Sequence, residues 1–181
     1  MIGRRLLALA AAWAATVAGL AATVAGNIQV RPVVADGRVT ASFVAPETFD
    51  ADAEAIVRSG LLLTFTFTVE LRKPSTVWMD RTLATSTVAS TVKYDNLTAV
   101  YQVSKLDRGR VSWSERTQDI AQVRTWMTTF ERVPLESREP LEPNAEYYLR
   151  VRMQATPKRT FSYWPWAGDT ASGRADFTFI R

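Results

Sequence analysis

The sequence predicts a mainly β protein: an antiparallel β-sandwich, immunoglobulin-like or similar, with two short α-helices, preceded by an N-terminal hydrophobic helix. Three observations predict it. Leu61, Leu63, Phe65, Phe67, Val69 and Leu71 alternate strictly with polar Thr64, Thr66, Thr68, Glu70 and Arg72, the period of a strand with one buried face. Hairpin-type turns (Asp36-Gly37, Asp95-Asn96, Asp107-Arg108-Gly109) separate many of the β-rich runs. β-α-β alternation is missing, which argues against a parallel sheet, and the one-sided apolar faces call for a second layer to cover them.

Taken in order, Ile28 to Val34 and Arg38 to Ala45 read as two strands joined at Asp36-Gly37. Pro32 has no amide donor and places the first strand at a sheet edge. Ala51 to Arg58 reads as a helix capped by Asp50 and stopped by Ser59-Gly60, with Phe49, Ile56 and Val57 on its apolar face. The alternating strand from Leu61 to Leu71 follows and ends at Lys73-Pro74-Ser75. Val77 to Tyr94 is one long or bulged strand, rich in Thr, Ser and β-branched residues. Leu97 to Ser104 returns with Leu97, Ala99, Tyr101 and Val103 on one face, and Arg110 to Trp113 pairs back. A second helix is capped by Thr117 and carries Ile120, Val123, Met127 and Phe130 at helical spacing, with Trp126 on its flank. Pro134 to Pro143 reads as a loop. Tyr147, Leu149, Val151 and Met153 alternate as another strand, closed by Pro157, and Ala175 to Ile180 forms the last of about eight.

The chain opens with Arg4-Arg5 followed by 21 uncharged residues, Leu6 to Gly26, the pattern of a secretory signal peptide or signal anchor. As a helix this run would span roughly 31 Å, enough for a hydrocarbon core. Its Ala-rich composition, the residues Val24, Ala25 and Gly26 as a cleavage edge before Asn27, and the absence of any linker between an anchor and the Ile28 strand all favour a cleaved signal over an anchor. Arg4-Arg5 is read as an ordinary positive n-region rather than a twin-arginine signal. In both readings the domain, residues 27–181, is delivered to the periplasm or the outer face of the inner membrane of a bacterium.

Bulk composition narrows the function. Residues 27–181 number 155, the size of one domain, and hydrophobic residues make up 47% of the chain. Of 22 basic residues two belong to the leader, leaving 20 against 18 acidic ones, too even a balance for a nucleic-acid partner. There is no cysteine, hence no disulfide framework, and no histidine, hence no Ser-His-Asp or Cys-His catalysis and no His-based metal site. No cofactor is expected.

Three segments together carry a family resemblance: Ser59-Gly60-Leu61-Leu62-Leu63-Thr64-Phe65 running into Val69-Glu70-Leu71-Arg72, then Tyr94 to Tyr101, then Tyr147 to Met153. With the leader, they resemble the bacterial domain of unknown function (DUF) 4390 family. The resemblance is carried by strands and turns, and implies an envelope protein without established activity. Because some members are encoded beside a nitrogen-regulation-type sensor histidine kinase, it also implies a signalling partner. The aromatic segment Phe161 to Trp166 and the Arg-terminated end depart from the family pattern.

Candidate chemistry is sparse. Ser90-Thr91-Val92-Lys93 has S-x-x-K spacing, but on a strand residues three apart face opposite ways, and the S-D-N and K-T-G partners are missing. Glu70, Asp80 and Asp95 are the carboxylates that a His-independent hydrolase would need, yet a solvated strand face and a turn account for Glu70 and Asp95. Asp50 and Asp52 fit a helix cap and first turn, and Asn96-Leu97-Thr98 a turn. One stretch is unusual: Phe161, Tyr163, Trp164 and Trp166 follow Lys158 and Arg159. It reads as a partner-binding patch, as a membrane-surface contact, or as rings folded back into the core. Trp78, Trp113 and Trp126 read as core. The function expected is an exported, non-catalytic envelope domain acting through protein contacts, with a carboxylate-only envelope hydrolase as the alternative.

Overall fold

A computed structural model describes residues 28–35, 37–75, 77, 79–137, 139–157 and 171–180. The leader, Trp78 and the aromatic segment with Lys158 and Arg159 lie outside the described residues.

Nine strands and two α-helices are present among the described residues: β1 Gln29–Ala35, β2 Arg38–Val44, α1 Ala51–Arg58, β3 Leu63–Lys73, β4 Arg81–Asp95, β5 Val100–Asp107, β6 Arg110–Thr117, α2 Ile120–Thr128, β7 Thr129–Leu135, β8 Glu146–Thr156 and β9 Ala171–Thr178. They form two antiparallel sheets, ordered β1-β2-β7 and β6-β5-β4-β3-β8-β9. This is the expected sandwich, with a three-plus-six division unlike the three-plus-four of an immunoglobulin constant domain.

The core lies between the sheets because every second residue of β3 points into it. Leu63, Phe65, Phe67, Val69 and Leu71 are all fully buried, facing Phe43 of β2 and Phe130 of β7. Phe67 sits 5.1 Å, centroid to centroid, from both Phe43 and Phe130 and so ties the two sheets together. Helix α1 has the predicted bounds, with the Asp50 carboxylate accepting from the Ala53 amide at 2.9 Å and Val57 buried beneath it. Pro32 does lie on an edge strand, β1.

Several expectations are corrected. β3 begins at Leu63, not Leu61, and Leu61 is exposed. β4 begins at Arg81, leaving Val77 in the preceding loop, and β5 begins at Val100, leaving Leu97 in the turn. β6 runs on to Thr117, so α2 is capped by Asp119, whose carboxylate accepts from the Ala121 amide. β9 starts at Ala171, before Ala175. The largest correction is β7, taken for the end of a helix and a loop. Its bulge lets Phe130, Val133 and Leu135 all face inward, with Arg132 in the left-handed region (φ 50°) and its amide donating to Ser42 Oγ. Phe130 continues the helical spacing of Met127 by coincidence, while the extra residue breaks the period of two. Pro134 is accommodated because β7, too, is an edge strand.

The small sheet does not cover the large one. β1 packs against β8 and β9, and β7 lies over β4. The inner face of the β5–β6 hairpin therefore overhangs, closed only towards one end by α2, which packs on β4, β5 and β6.

Candidate functional site: the groove beside β7

The overhang creates a groove of about 540 Å³ between edge strand β7, the β5–β6 hairpin and α2. Its walls are Trp113, Trp126 and Phe130, its floor Val88, and its charged groups Lys105, Asp107, Glu131 and Arg132. Trp113 and Trp126 meet edge to face at 5.1 Å. Both are half-buried, so the expectation that they belong to the core is met on one side only. Register explains the assembly: Asp107 pairs with Val88, and Lys105 with both Ser90 and Trp113, which places all of these side chains on the inner face. Just beyond, one extra residue in β6, Ser112, shifts the β5–β6 register at the groove.

Lys105 is the unusual group. Its ammonium donates to the Thr129 carbonyl at 2.7 Å and stands 5.0 Å from the Phe130 ring centre and 5.7 Å from that of Trp113. Burial pushes it below the ordinary lysine range, an effect that the negative charge of Glu131 partly offsets. Asp107 Oδ1 is buried without a hydrogen-bond partner. A desolvated cation and an unsatisfied acceptor among indole rings suit recognition of a ligand carrying both apolar and polar groups. The sequence does hold a signal for Lys105, since it occupies the inward phase of Tyr101 and Val103, where an apolar residue is expected.

The carboxylates proposed for hydrolysis do not converge. Glu70 accepts from Arg152 at 2.8 Å across the outer face of the large sheet. Asp80 accepts from the Tyr148 hydroxyl at 2.5 Å and the Ser75 amide at 3.1 Å, contacts that hold its carboxyl below the usual range. Tyr148 itself is covered by Arg174, 3.8 Å above its ring, which is why a residue on the polar phase of β8 is buried. Asp95 closes its own turn by accepting from the Leu97 amide at 2.9 Å. Asp50 and Asp52 serve α1 as cap and first-turn acid. Ser90 is buried and donates to the Met127 carbonyl at 2.7 Å, whereas Lys93 of the S-x-x-K spacing is exposed. Among the described residues no three carboxylates gather where a metal ion could be held, and no helix is long and apolar enough to cross a membrane.

Lys158, Arg159, Phe161, Tyr163, Trp164 and Trp166 lie outside the described residues, between the end of β8 at Thr156 and the start of β9 at Ala171.

Fold and groove together define a β-sandwich with an aromatic cleft along one edge. The chain belongs to the family described as Domain of unknown function (DUF4390), whose family model matches residues 23–160, from before β1 through the end of β8. Comparison with curated proteins found no match, and neither did comparison with solved structures.

Proposed function

We propose that this protein is an exported, non-catalytic domain of the bacterial cell envelope, accessory to a membrane signalling protein, and that it acts by docking a partner segment in the groove beside β7. The observation that carries the reading is the contrast between two kinds of site. The groove is apolar, aromatic and open, with one desolvated cation, while Glu70, Asp80 and Asp95 are each spent on a separate structural contact. A binder needs the first, and a carboxylate hydrolase would need two convergent acids. Pro134 and the Arg132 bulge interrupt β7, so a partner gains little by pairing its backbone along this edge. Recognition falls instead on side chains: a partner apolar anchor between Trp113 and Phe130, beside the ammonium of Lys105. A sensor histidine kinase is the partner class that the family resemblance suggests.

Two experiments test this. Residues 1–40 fused to a reporter active only outside the cytoplasm should give signal, and changing Arg4 and Arg5 to Glu should reduce it. A photoreactive residue at exposed Val111, on the groove-side hairpin, should crosslink a sensor kinase in native membranes. Trp113→Ala should abolish the adduct while leaving the fold intact. A reporter active only when retained in the cytoplasm overturns the location, and an unchanged adduct with Trp113→Ala overturns the groove.

A further inference from the structure

The solvent side of an antiparallel sheet is ordinarily polar, and the small sheet departs from that rule. Val39, Ala41 and Phe43 of β2 point into the core, so Thr40, Ser42 and Val44 lie on its outer face, paired with Val33, Arg31 and Gln29 of β1. On that face Val33 is 43% and Val44 36% exposed. β7, on the other side of β2, brings Thr129 beside Val44. Arg31, Val33, Ser42, Val44, Glu131 and Arg132 surround a second cleft there, of about 450 Å³.

This cleft and the groove adjoin. Thr129, Phe130, Glu131 and Arg132 line both, so β7 is the wall between them. The bulge lies in that wall. Ser42 Oγ accepts from the Arg132 amide at 3.1 Å and holds the bulge from the outer side, with Arg132 at φ 50°. Arg31, Glu131 and Arg132 are all exposed, and among the described residues none of them forms an ion pair. The outer cleft thus holds two guanidiniums against one carboxylate, and that carboxylate also acts on Lys105 in the groove. A negative group is what the crossing lacks.

We propose that the partner segment docked in the groove continues over the β7 bulge into the outer cleft, and that it carries an acidic residue between two apolar ones. The inference rests on the groove reading above and adds to it the second half of the interface and the residue pattern of the partner. One apolar side chain sits between Trp113 and Phe130, the carboxylate meets Arg132 and Arg31 at the crossing, and the second apolar side chain covers Val33 and Val44. Charges at such a rim set register and partner choice more than affinity. Crossing one sheet layer takes roughly 10 Å, and an extended chain advances about 3.4 Å per residue, so about three or four residues separate the two anchors.

The test places benzoylphenylalanine singly in the full chain, in native membranes, at three exposed positions. These are Val111 on the groove side, Val33 on the outer face of the small sheet, and Thr87 on the outer face of the large one. Val111 and Val33 should crosslink the same polypeptide, and peptide mass spectrometry should place both attachment points in one segment with an Asp or Glu between them. Thr87 should give no adduct. Arg31→Glu should lower the Val33 adduct about fivefold or more at an unchanged melting temperature, and Arg in place of the partner's acidic residue should restore it. The proposal is overturned if Val111 crosslinks and Val33 does not, or if the two attachment points fall in different segments. It is equally overturned if no acidic residue lies between them, if Arg31→Glu leaves the Val33 adduct unchanged, or if Thr87 crosslinks as strongly as Val33. A chain that gives no adduct at Val111 removes the groove reading, and this inference with it.

Discussion

The backbone of Ile28 lies directly on Gly173, so closely that a Cβ at Gly173 would stand 2.2 Å from the Ile28 carbonyl oxygen. Glycine is required at this point of β9 because the start of β1 crosses over it and donates its amide to Ser172. The contact joins the first strand of the small sheet to the last strand of the large one and closes that side of the sandwich. Gly173→Ala should therefore destabilise the protein by about 1–3 kcal/mol, the usual cost of overpacking, since the atom that must yield is backbone. The urea midpoint measures it, and a midpoint equal to that of the parent chain would count against the crossing.

Phe67 gives a second test of how the sheets are joined. It is fully buried between Phe43 and Phe130, one ring from each small-sheet strand it meets. Phe67→Ala should cost about 3–5 kcal/mol, whereas Thr66→Ala, on the opposite face of β3, should cost well under about 1 kcal/mol. Equal losses from the two changes would mean that the two faces of β3 are not distinguished by burial.

These two positions also show where the sequence is legible and where it is not. Phe67 belongs to an unbroken period of two, and such runs declare β3 and β8 without help. α1 is equally plain, because Asp50 and Gly60 punctuate both ends. β7 is hidden because its bulge removes the period and Pro134 argues for a loop, and only its pairing with β2 makes it a strand. The groove is hidden for a further reason: Lys105, Trp126 and Phe130 come from three elements, and their meeting depends on the mismatch between a three-stranded and a six-stranded sheet. The aromatic segment at 161–166 stands out by composition, a property that carries no information about placement.

Asp80 should set part of the acid limb of stability. Hydrogen bonds from the Tyr148 hydroxyl and then the Ser75 amide lower its folded pKa from the ordinary value of 3.8. The folded state thus binds its proton less readily than the unfolded chain. That contribution is present in full above the unfolded value and is lost as pH falls through the lowered folded one. Asp80→Asn should flatten the fall in melting temperature over this acidic window, and Tyr148→Phe should do so in part. Melts from pH 2 to 6 that fall in parallel for parent and Asp80→Asn would exclude the linkage.

Lys105 makes the opposite prediction at the alkaline end. Burial lowers its folded pKa from the ordinary 10.5, so between the lowered value and 10.5 the unfolded chain binds more protons than the folded one. Stability contributed through this group therefore rises with pH across that window, and below it the full cost of holding a desolvated charge is carried. Lys105→Met keeps the length and apolar stem of the side chain, removes the charge, and gives up the hydrogen bond to Thr129. Tyr101 and Tyr148, both raised by burial, act in the other sense near pH 10, but they are common to both proteins and cancel in the difference. The stability of Lys105→Met relative to the parent should accordingly be greatest at neutral pH and shrink as pH rises towards 10.5. Urea unfolding of the two proteins at intervals from pH 7 to 10 measures the difference, and a constant gap would show that the ammonium is not desolvated. If the groove docks its partner through this cation, the same variant should lose the Val111 crosslink at neutral pH, where its fold is relatively most secure. Loss of binding would then be separated from loss of stability.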